Sequence, residues 1–202
     1  MFILASASPS RLRLLQQAGI NPHVVVSGVD EEALVRELAE PSPDQVASTL
    51  ARAKARAVAD SITGPALILG CDSVFEFDGQ SFGKPRDRTE AWERWERMQG
   101  RSGILHTGHC VVSTTGRTVA ALVSTTVHMA QASQEEIEHY LDSGEPMQVA
   151  GGFTLDGLGA PFIERIEGDP GNVIGVSLPA IRRLGHELGL SWPDVIALSR
   201  QG

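Results

Sequence analysis

The sequence predicts an α/β protein built on a mixed, twisted sheet with flanking helices. Strand and helix patterns alternate in the first half of the chain, and hairpin patterns follow in the middle. Hydrophobic residues make up 42% of the 202 residues and charged residues make up 21%, which is typical of a globular protein rather than a disordered one. The length suits one domain, so we expect residues 1–202 to form a single domain.

The chain opens with a short apolar run, residues 2–5, which predicts a strand. Leucines spaced along residues 11–18 predict a helix, and Gly19 ends it. A second strand is predicted at residues 24–26. Residues 44–60 predict a longer helix, because small and apolar side chains recur there at helical spacing.

The middle of the chain predicts hairpins. A buried strand at residues 66–77 is followed by Asp78 and Gly79, which predict a tight turn into a partner strand that ends near Gly83. The other elements predicted here are one helix and two long strands, at residues 89–98, 104–114 and 118–129.

The last third of the chain mixes helices with an irregular segment. Ser133 predicts a helix start, because Glu136 three residues later completes a capping box. Residues 145–175 are rich in glycine and predict irregular backbone around a short strand. That strand and two closing helices are predicted at residues 162–166, 178–188 and 191–198.

The composition and patterning disfavour several classes of protein. The longest apolar runs are far below the ~20 residues of a membrane helix, and the N-terminus lacks the basic region of a signal peptide. The net charge of −8 disfavours nucleic-acid binding, although clustered cations can still form a positive pocket. Cys71 and Cys110 lie in apolar stretches and are expected to be buried free thiols, and no Cys or His spacing predicts a structural zinc site.

The first candidate site follows the N-terminal strand. Ser8 stands where a helix N-cap belongs, and Pro9 suits the first helical position. The free N–H groups and partial positive charge of such a helix start can bind phosphate, and Arg11 in the first turn would strengthen that binding. The alternative is an ordinary capped helix with a surface arginine.

Acidic and basic candidates come next along the chain. Asp30, Glu31 and Glu32 follow the second strand, and they could hold a divalent cation or form a solvated acidic loop. Lys54 lies at helical spacing on a stripe of small and apolar side chains. The stripe also contains Ala47, Ala51 and Val58. A lysine in that place either extends to solvent or points into a pocket.

Asp72 is the sharpest local signal. It interrupts a buried strand, where an unpaired carboxylate would cost several kcal/mol. A three-residue hairpin loop would place Lys84 opposite Asp72, and a two-residue loop would place it opposite Ser73. We therefore expect Asp72 to be a functional carboxylate beside Lys84, with a purely structural ion pair as the alternative.

Two other segments are less specific. The glycine-rich run of residues 150–159 surrounds Asp156 and lets backbone approach a ligand, but it lacks the third glycine of a dinucleotide fingerprint. Cys110 lies near His106 and His109 on a strand pattern, where a core or surface role is favoured over a nucleophile.

Taken together, these segments resemble the Maf family of nucleoside triphosphate pyrophosphatases, also called septum formation inhibitors. The matching stretches occur in family order and cover nearly the whole chain. They are residues 4–9 with Arg11, residues 27–31, Lys54 with Ala55, Asp72 with Ser73, residues 83–85, Thr107 with Gly108, residues 143–146, residues 150–151, residues 157–159, and Asn172 with Val173 and Gly175.

The resemblance implies a fold like that of inosine triphosphate pyrophosphatase, with two lobes around a cleft. It implies hydrolysis of nucleoside triphosphates, including modified ones, to the monophosphate and pyrophosphate. Asp72 matches the proton acceptor of the family. The residues expected to bind substrate are Ser8, Arg11, Lys54, Lys84 and Asp156. A divalent cation, Mg²⁺ or Mn²⁺, is expected on Glu31 and Asp72, and a cytoplasmic homodimer is also implied.

Two residues depart from the family pattern. Ser10 stands where the first of two arginines is usual, so one phosphate contact is either missing or supplied elsewhere. Asp156 stands where the pyrimidine-preferring branch has glutamine and the branch acting on methylated guanosine triphosphate has glutamate. The base preference is therefore open, and Asp156 either reaches the base or caps a turn.

Two other functions are alternatives to the pyrophosphatase. One is a nucleotide-binding regulator of cell division or septum formation with little catalytic activity, and the other is a phosphatase that releases orthophosphate. A pure binding module has no need of a buried carboxylate beside a lysine, so the pyrophosphatase is favoured.

Overall fold

The computed structural model describes residues 1–200 as an α/β protein. The strands are β1 (Phe2–Leu4), β2 (His23–Val24), β3 (Leu67–Phe77), β4 (Gln80–Phe82), β5 (Ser102–Ser113), β6 (Thr118–Met129) and β7 (Ile163–Glu167). The helices are α1 (Pro9–Gln17), α2 (Glu31–Glu37), α3 (Pro43–Ala59), α4 (Arg88–Met98), α5 (Gln134–Asp142), α6 (Pro170–Ile174), α7 (Leu178–Glu187) and α8 (Trp192–Leu198). Within residues 1–200, every helix is too short or too polar to cross a membrane.

All the strands belong to one mixed sheet. Its order is β2-β1-β3-β5-β6-β7, and β4 also pairs with β3. β1 runs parallel to β2 and to β3, whereas the remaining pairs are antiparallel. The mixed α/β sheet with flanking helices that the sequence predicts is thus confirmed.

Two short helices lie where the sequence predicts loops. α2 begins directly after Asp30, whose carboxylate caps it by accepting a hydrogen bond from the Ala33 N–H. α6 begins after Asp169, which accepts from the Gly171 N–H in the same way. Helices of two turns or fewer carry too little apolar periodicity to stand out in a sequence.

The hairpin between β3 and β4 has a two-residue loop. Phe77 pairs with Gln80, and both Asp78 and Gly79 have positive φ, as a tight primed turn requires. The three-residue loop considered from the sequence is therefore wrong, and the two-residue alternative describes the register.

Helix α3 covers most of one face of the central strands, and Leu34 and Val35 of α2 pack beside it near Val74. Helix α3 packs very closely on the sheet, because β3 and β5 present glycines to it. A Cβ on Gly70 would lie 2.3 Å from the Ala51 carbonyl oxygen. A Cβ on Gly108 would lie 2.3 Å from the Ala47 carbonyl oxygen. Side chains alternate along a strand, so Asp72 shares this face with Gly70. The close approach brings α3 side chains within reach of the strand.

The opposite face of the sheet carries two separate apolar clusters, which we call the N-terminal lobe and the aromatic lobe. The N-terminal lobe includes Phe2, Leu15, Ile181, Leu184 and Val195, from β1, α1, α7 and α8. The aromatic lobe includes Phe75, Trp95, Tyr140, Leu141 and Phe153, from β3, α4, α5 and the glycine-rich segment. The hydroxyl groups of Ser73 and Thr107 lie between them and are hydrogen-bonded to each other, and Thr107 also donates to the backbone carbonyl of Asn172. This arrangement agrees with the two lobes that the sequence predicts.

Candidate active site

The candidate site lies at a break in the pairing along one edge of β3. β1 pairs with β3 only as far as Leu69, and β4 pairs with it only from Phe75 onward. Residues 70–74 therefore have no strand neighbour on this edge, and we call this stretch the β3 gap. The carboxyl ends of the parallel strands β2 and β1 point toward it, which is where open α/β sheets usually bind ligands.

A buried lysine joins two carboxylates beside the gap. Lys54 Nζ lies 2.5 Å from Asp72 Oδ1 and 2.8 Å from Glu31 Oε1. The Lys54 and Asp72 side chains are only 11% and 9% exposed, whereas Glu31 is 49% exposed. Three distant segments thus meet here: the start of α2, the middle of α3 and the centre of β3.

The stripe that contains Lys54 is the buried face of α3. Ala47, Ala51 and Val58 are all buried with Lys54, and Arg52 and Arg56 face solvent. Of the two alternatives for Lys54, the structure therefore shows the inward one. Its ammonium group meets Asp72 because small residues let α3 lie directly on the strand.

Burial changes the pKa of Asp72. Removal from water raises the pKa of Asp72 above its ordinary value of 3.8, and this outweighs the positive charges of Lys54 and Arg11, which act to lower it. A carboxylate with a raised pKa beside a gap is suited to accept a proton.

Arg11 lies beside the gap, on the side of the N-terminal lobe. Its Nε donates to the Gly175 carbonyl at 2.8 Å, and its Nη1 donates to the Ser6 hydroxyl and the Cys71 carbonyl, both at 3.0 Å. Its Nη2 donates to Ser73 Oγ at 3.0 Å. At least four of its five N–H groups are therefore already engaged, so Arg11 is held in place rather than free on the surface.

Ser8 has the N-cap role that the sequence predicts. Its hydroxyl accepts from the Arg11 N–H at 3.4 Å, and its own N–H donates to the Ser6 hydroxyl at 3.2 Å. The first turn of α1 therefore starts beside the gap, with Pro9 at its first position.

The Asp72–Lys84 pair that the sequence predicts is not formed in the structure. Asp72 pairs with Lys54, and Lys84 makes no ion pair with any of residues 1–200. Lys84 is exposed and lies just after β4, so continuing the register by two residues would bring it alongside Ser73. The shorter loop shifts the register by one residue, which is why the expected pair does not form.

Asp156 lies in the glycine-rich segment and meets α1. Its Oδ2 accepts a hydrogen bond from Arg13 Nη2 at 2.7 Å, and the same Nη2 lies 3.1 Å from Ser10 Oγ. The turn cap considered from the sequence is not observed within residues 1–200, because the one partner of the carboxylate there is Arg13. Sequence reasoning missed Arg13, which gives no signal of its own on an exposed helix face.

Glu145 organises the same segment. Its carboxylate accepts from the Tyr140 hydroxyl at 3.0 Å, from Thr154 Oγ1 at 2.5 Å, and from the N–H groups of Leu158 and Gly159 at 3.1 Å each. Burial acts to raise the pKa of Glu145, but these hydrogen bonds lower it overall. Side chains at Gly157 or Gly159 would collide with Glu145 or Tyr140, so the glycines allow this compact turn.

The carboxylates near the gap could hold only part of a metal shell. Residues 1–200 contain no group of three His, Cys, Asp or Glu side chains placed to bind one ion. Glu31 and Asp72 remain two oxygen donors on either side of Lys54. This fits a Mg²⁺ ion that takes one or two carboxylates from the protein and the rest of its ligands from phosphates and water.

The side chains of Cys71, Cys110, His106 and His109 form no hydrogen bond or ion pair with Lys54 or Asp72 among residues 1–200. Cys71 and Cys110 are buried free thiols, as expected, and burial raises the pKa of Cys71 to about 12. His109 is buried and accepts from the Ser177 N–H at 2.8 Å, and burial lowers its pKa to about 4. His106 bridges Ser124 and Glu76 at 2.8 Å each. No contact joins Cys110 to either ring within residues 1–200, so the core or surface role favoured from the sequence is confirmed.

Composition contains one further signal for the site. Lys54 and Lys84 are the only lysines in the chain, and the other side chains counted as Lys or Arg are all arginine. A lysine ammonium group is a compact point charge, unlike the planar fork of an arginine, so these two positions carry a different kind of cation from the rest of the chain.

Comparison with known proteins gives consistent matches. A family model described as Maf-like protein matches residues 1–188. A Salinispora tropica protein named nucleoside triphosphate pyrophosphatase is 57% identical over 194 residues, covering 93% of this chain and 84% of its own length. A Streptomyces coelicolor protein of the same name is 55% identical over 198 residues, covering 96% and 94%. Among solved structures, the Staphylococcus aureus Ham1 protein matches with a TM-score of 0.46 and 12% identity, covering 93% of this chain and 97% of its own.

Proposed function

Because the chain belongs to the Maf-like protein family, we propose that it is a hydrolase that cleaves nucleoside triphosphates between the α and β phosphates. The products are the nucleoside monophosphate and pyrophosphate. Relatives that share more than half of its residues carry the name of this activity. The structural observation that carries the proposal is the buried Asp72, held by Lys54 beside the β3 gap.

Asp72 acts as the general base. Lys54 occupies its Oδ1, whereas its Oδ2 has no hydrogen-bond partner among residues 1–200. Oδ2 accepts a proton from the attacking water, the water oxygen bonds to the α phosphorus, and the bond to the oxygen bridging the β phosphorus breaks. The raised pKa makes Asp72 a stronger base than an ordinary aspartate.

The cations around the gap bind the phosphates. Lys54 and the helix start at Ser8 lie beside the gap, Arg11 adds positive charge next to it, and the exposed Lys84 follows β4, whose register leads toward Ser73. Phosphoryl transfer depends mostly on positioning and on stabilising charge that spreads over the phosphate oxygens. Asp156 is proposed to line the nucleoside side of the site.

A divalent cation, Mg²⁺ or Mn²⁺, is the cofactor we propose. Glu31 and Asp72 would hold it, and it would supply charge neutralisation for the phosphates. On the family resemblance alone, we also propose a single-domain enzyme that works in the cytoplasm as a homodimer.

Product analysis tests the function. The purified protein is incubated with the common and modified nucleoside triphosphates, with Mg²⁺ or Mn²⁺, and pyrophosphate and orthophosphate are measured separately. Pyrophosphate in equal amount to the monophosphate is the expected result. Orthophosphate as the first product would show a phosphatase instead. Nucleotide binding without turnover would favour the regulator of cell division.

A further inference from the structure

We propose that Arg13 is a substrate-positioning residue, which ties the glycine-rich turn at Thr154–Gly159 to α1 and so forms the nucleoside side of the cleft before substrate binds. This inference rests on the proposed function. It concerns a residue outside the group around Asp72, and it acts through the turn rather than on the reacting atoms.

The contact joins the two lobes. Arg13 belongs to α1, whose Leu15 packs in the N-terminal lobe, whereas Asp156 follows Phe153 of the aromatic lobe. Their side chains meet at 2.7 Å across 143 positions of sequence. Among residues 1–200, this is the one ion pair that connects α1 with the glycine-rich segment.

No other hydrogen bond or ion pair joins residues 154–159 to α1 within the part of the chain that the structure describes. Glu145 fixes it from within the aromatic lobe, through Thr154, Leu158 and Gly159. The tip itself is exposed, and Leu158 shows 61% of its surface to solvent. Without Arg13, the turn would depend on its hydrogen bonds to Glu145, and the Leu158 and Gly159 N–H groups that donate to Glu145 would open more often.

Charge indicates which part of the substrate the turn faces. The turn carries the carboxylate of Asp156 and rests on the carboxylate of Glu145, and it contains no basic side chain. Such a surface repels phosphates, and we expect the cations around the gap to bind them instead. The uncharged sugar and base are the parts that a turn of this kind can accept. Arg13 also reduces the negative charge there by pairing with Asp156.

A turn that is already fixed before substrate arrives favours binding, because less of the binding free energy is then spent on ordering the turn. An exposed ion pair is typically worth up to about fivefold in an equilibrium constant. We therefore expect Arg13→Ala to raise KM for the best nucleoside triphosphate about twofold to fivefold and to change kcat less than twofold. Arg13→Lys, which keeps the charge, should stay closer to the parent enzyme.

A matched control is available in the same chain. Arg88 and Asp142 form another exposed pair at 2.7 Å, which joins α4 to α5, and neither residue is proposed to contact substrate. Arg88→Ala should leave KM and kcat unchanged. Both variants should melt close to the parent temperature, because exposed pairs contribute little to stability.

Two readouts separate positioning from other roles. Inorganic tripolyphosphate has no nucleoside, so its inhibition constant should be the same for Arg13→Ala and the parent enzyme. Amide hydrogen exchange at Leu158 and Gly159 should become faster in Arg13→Ala but not in Arg88→Ala. The exchange measurement needs no turnover, so it tests the contact even if the proposed function fails.

Three results would overturn the inference. Equal weakening of tripolyphosphate and nucleoside triphosphate would make Arg13 a phosphate ligand. Unchanged exchange in Arg13→Ala would show that the pair does not hold the turn. Faster exchange with unchanged KM would make Arg13 a structural contact without a role in positioning substrate. A separate outcome, absence of pyrophosphate release by the parent enzyme, would refute the proposed function but not the contact.

Discussion

At the scale of single residues, the buried position of Asp72 determines the chemistry of the site. A carboxylate removed from water keeps its charge only with a close partner, and Lys54 at 2.5 Å supplies one. Burial still raises the pKa of Asp72, so the group retains the basicity that a proton acceptor needs. The site thus combines an ion-pair partner for the charged form of Asp72 with burial that raises its proton affinity.

Asp72→Asn should nearly abolish pyrophosphate release while leaving the fold intact, because the amide has the same shape but cannot accept the proton. A loss of ~10²–10⁴-fold in kcat is expected for removal of a general base. Steady-state kinetics and a melting curve measure the two effects. Turnover within a few-fold of the parent would remove Asp72 from that role.

The pH profile gives an independent test of Asp72. Its raised pKa means that the carboxylate takes up a proton at a higher pH than an ordinary aspartate, whose value is near 3.8. As pH falls, kcat/KM should therefore decline before that value is reached, and Lys54→Met should move the decline to still higher pH. An acid limb at or below the ordinary value would contradict the assignment.

The two lysines should respond differently to removal. Lys54→Met leaves Asp72 and Glu31 without their shared cation, so both activity and stability should fall, by up to ~3–5 kcal/mol in unfolding free energy. Lys84→Met should raise KM and leave the melting temperature unchanged, because Lys84 is exposed and has no ion-pair partner among residues 1–200. Comparable loss of stability in both variants would refute the contrast.

At the scale of elements, the distance between α3 and the sheet places Lys54. Gly70 and Gly108 leave no room for side chains between the helix and the strands, so the α3 backbone lies directly on β3 and β5. Asp72 follows Gly70 on the same face of β3. A wider spacing would carry the Lys54 ammonium group away from it.

Gly108→Ala tests this packing. Its Cβ would lie 2.3 Å from the Ala47 carbonyl oxygen, so α3 must move, and unfolding free energy should fall by ~1–3 kcal/mol with a loss of activity. Gly83→Ala is the control for stability, because nothing lies within 4 Å of a Cβ there and its φ is not positive. Equal stability of the two variants would show that α3 adapts without cost.

At the scale of the whole molecule, the site forms where the sheet changes partners. β1 ends on one side of the β3 gap and β4 ends on the other, and the two lobes are built on these two sides. Arg11 spans this junction through Ser6, Cys71, Ser73 and Gly175. It therefore contributes to folding as well as to the positive charge of the site.

Arg11→Lys should show this double role. Lysine keeps the charge but cannot reproduce a planar fork of hydrogen bonds, so about 2 kcal/mol or more of unfolding free energy should be lost together with activity. Chemical denaturation measures the first effect and kinetics the second. Parent-like stability would mean that the fork is not needed to join the lobes.

Sequence alone was sufficient for the elements with strong periodicity and for singling out Asp72 as a buried carboxylate. The long helix α3, the strands β3, β5 and β6, and the capping box at Ser133 follow from local patterns, because period and capping chemistry are properties of neighbouring residues. Asp72 stood out for a similar reason, since a carboxylate inside an apolar run is visible without any structure.

Tertiary structure alone decided which charges meet. Lys54 rather than Lys84 reaches Asp72, Glu31 joins them, and Arg13 meets Asp156 across 143 positions. These pairings depend on the length of one hairpin loop, on how closely α3 lies on two glycines, and on where β1 stops. Such distances are set jointly by segments far apart in the chain, so no local pattern encodes them.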